Sequence, residues 1–226
     1  MQKNVAIVHY NTPELTTAAV LSLWKHTPDA GVTVFDNSDR RPFPPMEGVR
    51  LIDNTCGKVV DFQSLIDRYP DKIKTACNWG SEKHIASVDY MFDLFPEGFV
   101  LADSDVLFKR DISELFDASV AWYGSIEYEP RFWFQARRCL PFLLWINVPM
   151  CKARGVRFFH DGYVYKLSHK GAPYYDTGGS FYKDCIEARL PYIETNIFRF
   201  IEHLGGASCH PTKWKEWLEQ HKDLYL

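Results

Sequence analysis

The chain has 226 residues, 46% of them hydrophobic and 24% charged, with 26 basic against 29 acidic side chains and a formal net charge of -3. That balance suits one soluble globular domain, and it leaves no cationic excess or lysine/arginine block to track phosphates, so nucleic acid is not an expected partner. The longest apolar stretch, Leu140 to Ile146 with Pro141 inside it, is far short of the ~20 residues that span a bilayer, so neither an integral membrane segment nor a signal peptide is expected.

In chain order, Val5 to His9 is a short β-branched run that stops at Tyr10-Asn11-Thr12-Pro13, a strand followed by a loop. Thr12 supplies an N-cap, Pro13 suits the first helical position, and apolar residues recur through Leu15, Ala19, Leu21 and Leu23, which predicts a helix to about Lys25. Gly31 to Phe35 is a second strand closed by Asp36-Asn37-Ser38-Asp39, and Val49 to Ile52 is a short third one. Helix is predicted over residues 62–69 and again over 81–95, where Ile85, Val88, Met91, Phe92 and Phe95 keep helical spacing until Pro96 and Gly98 break it. Phe99 to Ala102 then reads as a buried strand. Strand, helix and strand with polar loops at the strand ends describe an α/β protein whose ligands bind at the C-terminal edge of a mostly parallel sheet. Beyond Asp117 the composition turns to aromatics and glycine without that alternation, and residues 118–226 read as a second lobe on the same core. Six cysteines, Cys56, Cys77, Cys139, Cys151, Cys185 and Cys209, form no CxxC pair and point to reduced thiols in a cytoplasmic protein.

The strongest chemical signal is Asp103-Ser104-Asp105 at the end of the buried strand. In an extended segment residues two apart project to one side, so two carboxylates would leave the strand together. Hard divalent ions take such oxygens along with substrate phosphates, which suggests a metal-bound diphosphate. The plain alternative is a strand end capped by solvated acids.

In these features the chain resembles the glycosyltransferases of GT-A fold, in particular the family-2-like group. Ile7 to Asn11 is similar to that group's first-strand signature, Val34 to Asp39 to the end of its second strand, and His84 to Asp105 to the helix leading into a DxD strand. Tyr175 to Gly179 and His203 to Ser208 add motifs in the second half. The resemblance implies an α/β GT-A fold with a mostly parallel central sheet flanked by helices and a smaller acceptor-side lobe. One domain is expected over 1–226, with a nucleotide-sugar-binding half at 1–117 and an acceptor-side half at 118–226. It implies transfer of a sugar from a nucleotide-sugar donor to an acceptor hydroxyl, the acceptor being a saccharide or lipid-linked saccharide. Work at the inner face of a membrane by a peripheral cytoplasmic protein is consistent with that.

Carried over residue by residue, the resemblance makes Asp103 and Asp105 metal ligands, with Ser104 beside the donor and His203 completing the shell. An imidazole suits Mn²⁺ better than Mg²⁺. Asp36 matches the acid that meets the nucleoside, with Tyr10, Asn11 and Asn37 nearby, while an Asx turn is its plain alternative. Lys58 and, loosely, Lys213 are placed near donor phosphate, and Gly205-Gly206 either forms a backbone anion nest or a turn. His84 is expected at the nucleotide end of the cleft or packed on its helix face. Asp176 is the candidate general base, with Asp161 as competitor. The acidic Glu-Asp pair usual on the acceptor side is absent, so Asp176 has donor-sugar binding or helix capping as alternatives and the stereochemical outcome stays open. Asn147 is a further candidate from a strand end. Two other functions compete with transfer: a degenerate GT-A nucleotide- or sugar-binding protein, and a sugar-phosphate nucleotidyltransferase, whose basic glycine-rich loop after the first strand is missing.

Overall fold

Alternate side chains of the first strand face two different helices, and this two-sided burial organises the molecule. The structure is a computed structural model that describes residues 2–61, 79–129, 136–158, 176–206 and 213–226. Strand β1 (Asn4–His9) sends Val5 and Ile7 toward helix α1 (Pro13–His26) and Ala6 and Val8 toward helix α2 (Trp79–Leu94). Strands β2 (Gly31–Asp36) and β4 (Phe99–Asp103) follow the same period of two, as strands covered on both faces must. Val88, Met91 and Phe92 of α2 cover one face and Ala19, Val20 and Leu23 of α1 the other, all of them fully buried.

The central sheet has seven strands in the order β10-β6-β9-β4-β1-β2-β3. Here β3 is Val49–Asp53, β6 is Trp122–Gly124, β9 is Leu143–Ile146 and β10 is Tyr192–Glu194. Strands β3, β2, β1 and β4 are parallel, β9 runs antiparallel between β4 and β6, and β10 pairs parallel with β6. Register aligns His9 with Asp36 and Asp36 with Asp53, and Val8 with Asp103, so the polar strand ends form one edge. The aromatic second half is therefore threaded into the same sheet, a regularity its strands are too short to reveal as alternation.

Smaller elements finish the molecule. Strand β5 (Val106–Phe108) pairs with β11 (Ile201–His203), and β7 (Ile126–Glu127) with β8 (Arg138–Cys139). Helices α3 (Val148–Lys152) and α4 (Gly179–Glu187) pack on the α2 side, while α5 (Lys213–Gln220) sets Leu218 against Leu15 and Leu107. Among the described residues no helix is long and apolar enough to cross a membrane. The helix predicted at 62–69 and the acid Asp161 lie outside the described residues.

Three local expectations change. Thr12 occupies the N-cap of α1, but its hydroxyl makes no cap bond; it lies 3.4 Å from Ser104 Oγ instead. Asn147 does not project into a cleft: it is buried and caps α3 by accepting from Met150 N, while its Nδ2 donates to the Ala118 carbonyl. Asp103 to Asp105 is not extended. The strand ends at Asp103, and Ser104 and Asp105 form a turn into β5.

Candidate metal and donor site

That turn, together with a second strand from far along the chain, brings three ligand-type side chains together. β11 runs antiparallel to β5 with His203 opposite Val106, and Leu204 N donates to the Asp105 carbonyl at 3.1 Å. His203 Nε2 consequently lies 3.3 Å from Asp105 Oδ1, and ligand atoms of Asp103, Asp105 and His203 all fall within 4.8 Å of one another. Phe142 steadies the group. Its ring packs on the His203 imidazole at 3.8 Å between centroids, and its carbonyl accepts from Asp103 N at 3.4 Å.

The electrostatics of the group favour positive charge at its centre. Burial pushes the Asp103 carboxyl upward, but His84, His203 and Arg138 outweigh it, and the group sits below its ordinary value. Burial likewise pushes the His203 imidazole down, and the Asp105 and Asp103 carboxylates outweigh it, holding the ring above its ordinary value. Two carboxylates and an imidazole are a donor set for a divalent ion of intermediate hardness. Opposite ligands of such an ion stand roughly 4–5 Å apart for bonds of about 2.1–2.5 Å, so the spread of the three groups fits one cation.

The loops after β1 and β2 form a second polar cluster. Asp36 is 1% exposed, and its two oxygens accept from Ser38 N and Phe43 N at 2.8 Å, so its carboxylate shapes the loop from inside. Asn37 is also buried: its Nδ2 donates to Ser87 Oγ and its Oδ1 accepts from Asn54 Nδ2, tying β2, β3 and α2 together. The side chains this loop presents outward are others. Asn11, at φ 57°, accepts from Arg40 N and Arg41 N and donates from Nδ2 to Asp39 Oδ1 at 2.6 Å, and Tyr10 Oη donates to Asp39 Oδ2 at 3.2 Å. Lys83 Nζ stands 5.9 Å from the centre of the Tyr10 ring. Asp39 was missed in the sequence because four polar residues in a row give no sign of which one the turn faces outward. Lys58 is exposed and paired with Asp53 at 2.5 Å, an ion pair that holds the Asp53 carboxyl down to about 2.

A chain of charges joins β7, β8 and the start of α4. Arg138 donates from Nε to Glu127 Oε2 and from Nη1 to Asp176 Oδ2, each at 2.6 Å, while Thr177 N donates to Asp176 Oδ1 at 2.8 Å. Asp176 is thereby fixed one turn before α4, whose N-cap Gly178 has φ 85°. Arg138, unmarked in the sequence, also adds positive potential that helps hold the Asp103 carboxyl below its ordinary value. His84 sits beside Asp103, with Nε2 3.2 Å from Oδ1. Gly205 and Gly206 both adopt positive φ, 72° and 69°. Lys213 is exposed at the start of α5.

No protein-family model and no curated protein sequence matches the chain. Among solved structures it is similar to mouse xyloside xylosyltransferase 1 in its apo form, with a TM-score of 0.52 at 10% identity over 87% of this chain and 86% of that one. It also matches the galactosyltransferase LgtC in complex with donor and acceptor sugar analogues, with a TM-score of 0.48 at 12% identity over 86% of this chain and 73% of that one. The glycosyltransferase GlyE of Streptococcus pneumoniae TIGR4 gives 0.48 at 13% identity over 96% of this chain and 50% of that one. Sheet order and the likeness to the mouse enzyme identify the architecture as the GT-A glycosyltransferase fold. At such identities the likeness is one of fold, and activity has to be argued from the site.

Proposed function

We propose that the protein is a metal-dependent glycosyltransferase that moves a sugar from a nucleotide-sugar donor to a hydroxyl of a saccharide or lipid-linked saccharide acceptor. One observation carries this: Asp103, Asp105 and His203 converge at the C-terminal edge of a GT-A sheet, where such folds bind their ligands. A divalent ion held there, Mn²⁺ in preference to Mg²⁺ because of the imidazole, supplies neutralisation of the charge that builds on a departing diphosphate.

The chain's own residues divide the remaining work. Tyr10 offers a ring and a hydroxyl to the nucleoside, Asn11 holds the loop in shape, and Asp39 offers carboxylate oxygens suited to ribose hydroxyls. Asp36 and Asn37 support that surface from within. Asp176, locked by Arg138 and Thr177 N, meets a sugar hydroxyl with its remaining lone pairs and is our candidate to receive the acceptor proton. The acceptor oxygen bonds to the anomeric carbon as the bond from that carbon to the phosphate oxygen breaks, and the nucleoside diphosphate leaves with the electron pair.

The test is a thermal-shift panel of UDP, GDP, CDP and dTDP, each with Mn²⁺, Mg²⁺ or EDTA, on the wild-type chain and on Asp105→Ala. A ligand that binds only the native state raises the melting temperature. A shift of several degrees for one nucleotide with Mn²⁺, absent in EDTA and in Asp105→Ala, is expected. Equal shifts in EDTA, or none with any pair, would overturn the proposal.

A further inference from the structure

One histidine at the site has no use in the scheme above. His84 lies on the core-facing stripe of α2 with Val88 and Met91, a row that Phe95 continues just past the helix and that is otherwise apolar and buried. Helix α2 turns back through a short loop into β4, so the N-terminal half of the helix stands over the strand's C-terminal end, and His84 Nε2 comes 3.2 Å from Asp103 Oδ1. Its side chain is 16% exposed, both ring nitrogens are shut off from solvent, and neither has an aligned hydrogen-bond partner among the described residues. A buried polar group in that state calls for an explanation, since an apolar side chain would fill the stripe without loss. The ligand atoms that cluster within 4.8 Å are those of Asp103, Asp105 and His203 and do not include His84, which meets the group at Asp103.

We propose that His84 is a positioning residue. Its Nε2–H grips Asp103 and holds that carboxylate in the orientation that shares a cation with Asp105 and His203, an inference that rests on the metal-site reading above. The carboxylate beside Nε2 selects the tautomer with hydrogen there, and 3.2 Å is within hydrogen-bond reach once the two groups align. Groups that orient a ligand from outside the coordination sphere typically govern metal affinity by tenfold to a hundredfold.

The experiment is titration of the full chain with Mn²⁺ alone, followed by the electron paramagnetic resonance signal of the free ion. Wild type is compared with His84→Leu, which suits the apolar stripe, with His84→Gln, which returns an N–H near the position of Nε2, and with Asp105→Ala. His84→Leu is expected to weaken Mn²⁺ binding by about tenfold or more and His84→Gln to restore most of it, while the metal-free melting temperature of His84→Leu stays equal to or above wild type. Unchanged affinity in His84→Leu, or a loss that His84→Gln does not repair, overturns the role of His84 and leaves the metal site standing. Absence of Mn²⁺ binding by wild type, or undiminished binding by Asp105→Ala, overturns the metal site and this inference with it.

Discussion

His9, at the C-terminal end of β1, is a fully enclosed imidazole with three polar neighbours: Thr16 Oγ1 2.7 Å from Nδ1, the Arg41 carbonyl 3.2 Å from Nε2, and Asp36 Oδ1 3.9 Å from Nε2. Burial is the largest influence and holds the ring below its ordinary value, against the Arg41 carbonyl and the Asp36 and Glu14 carboxylates, which favour the charged form, and with the Arg41 guanidinium, which opposes it. The sign follows. The unfolded chain takes up the proton near pH 6.5 and the folded chain only at lower pH, so stability present above 6.5 is lost as pH falls from there toward the folded value. Each unit of depression is worth about 1.4 kcal/mol. His203, held above its ordinary value, contributes with the opposite slope above that window, so a variant is needed to separate the two. Chemical denaturation of wild type and His9→Gln between pH 7.5 and 5 should show a shallower acid decline in the variant, despite its lower stability at pH 7.5. Parallel curves would show that His9 titrates alike in both states. The same loop engages the Asp36 carboxylate and the Asn37 amide from inside, with the Ser38 N to Asp36 Oδ1 bond of an Asx turn. Short polar residues after a strand look identical in sequence whether they face solvent or bond their own loop.

At the scale of elements, the placement of Asp176 depends on a close approach between two backbones. Gly178 begins α4 at φ 85°, and a Cβ there would stand 2.2 Å from the Cys139 carbonyl oxygen of β8. Gly155 also has positive φ, 70°, yet a Cβ there meets nothing within 4 Å. Alanine at position 155 should therefore cost only the left-handed penalty of about 1 kcal/mol. Alanine at 178 must in addition move helix from hairpin, which we expect to cost at least ~2 kcal/mol and, for a chain of this size, to lower Tm by roughly 4–8 °C. Calorimetry of the two variants side by side checks this, and equal losses would mean that the α4 to β8 contact yields without strain. The local pattern Asp176-Thr177-Gly178-Gly179 does not say which distant strand lies overhead. The cluster of Asp103, Asp105 and His203 shows the same limit. Asp103 and Asp105 were readable from a buried run ending in two acids, and His203 from a resemblance, but their meeting depends on the three-residue pairing of β5 with β11, too short for any periodicity.

Across the whole molecule, the first half was legible because its elements are long and regular. β1, α1, β2, β3, α2 and β4 all lie within two residues of their predicted ends, each marked by a proline, a polar cluster or a glycine. The second half was not, since β6, β9 and β10 have three or four residues each and are ordered in space by insertion, with β9 reaching back to lie between β4 and β6. That insertion bears on how the chain unfolds. Trp145 of β9 is fully buried in the core that α1 and β2 share, its Nε1 donates to the Asp117 carbonyl at 2.9 Å, and Val100 of β4 is its partner in the sheet. Residues 1–117 alone would expose the apolar edge of β4, so the two halves should share one cooperative unit, with neither a stable folded unit by itself. Thermal unfolding of the whole chain followed by far-ultraviolet circular dichroism and by tryptophan fluorescence should give coincident single transitions, and a 1–117 fragment should show no cooperative melt. Two resolved transitions, or a fragment that melts cooperatively, would mean that the first half of the sheet holds together without β9, and that the aromatic half covers an already folded domain.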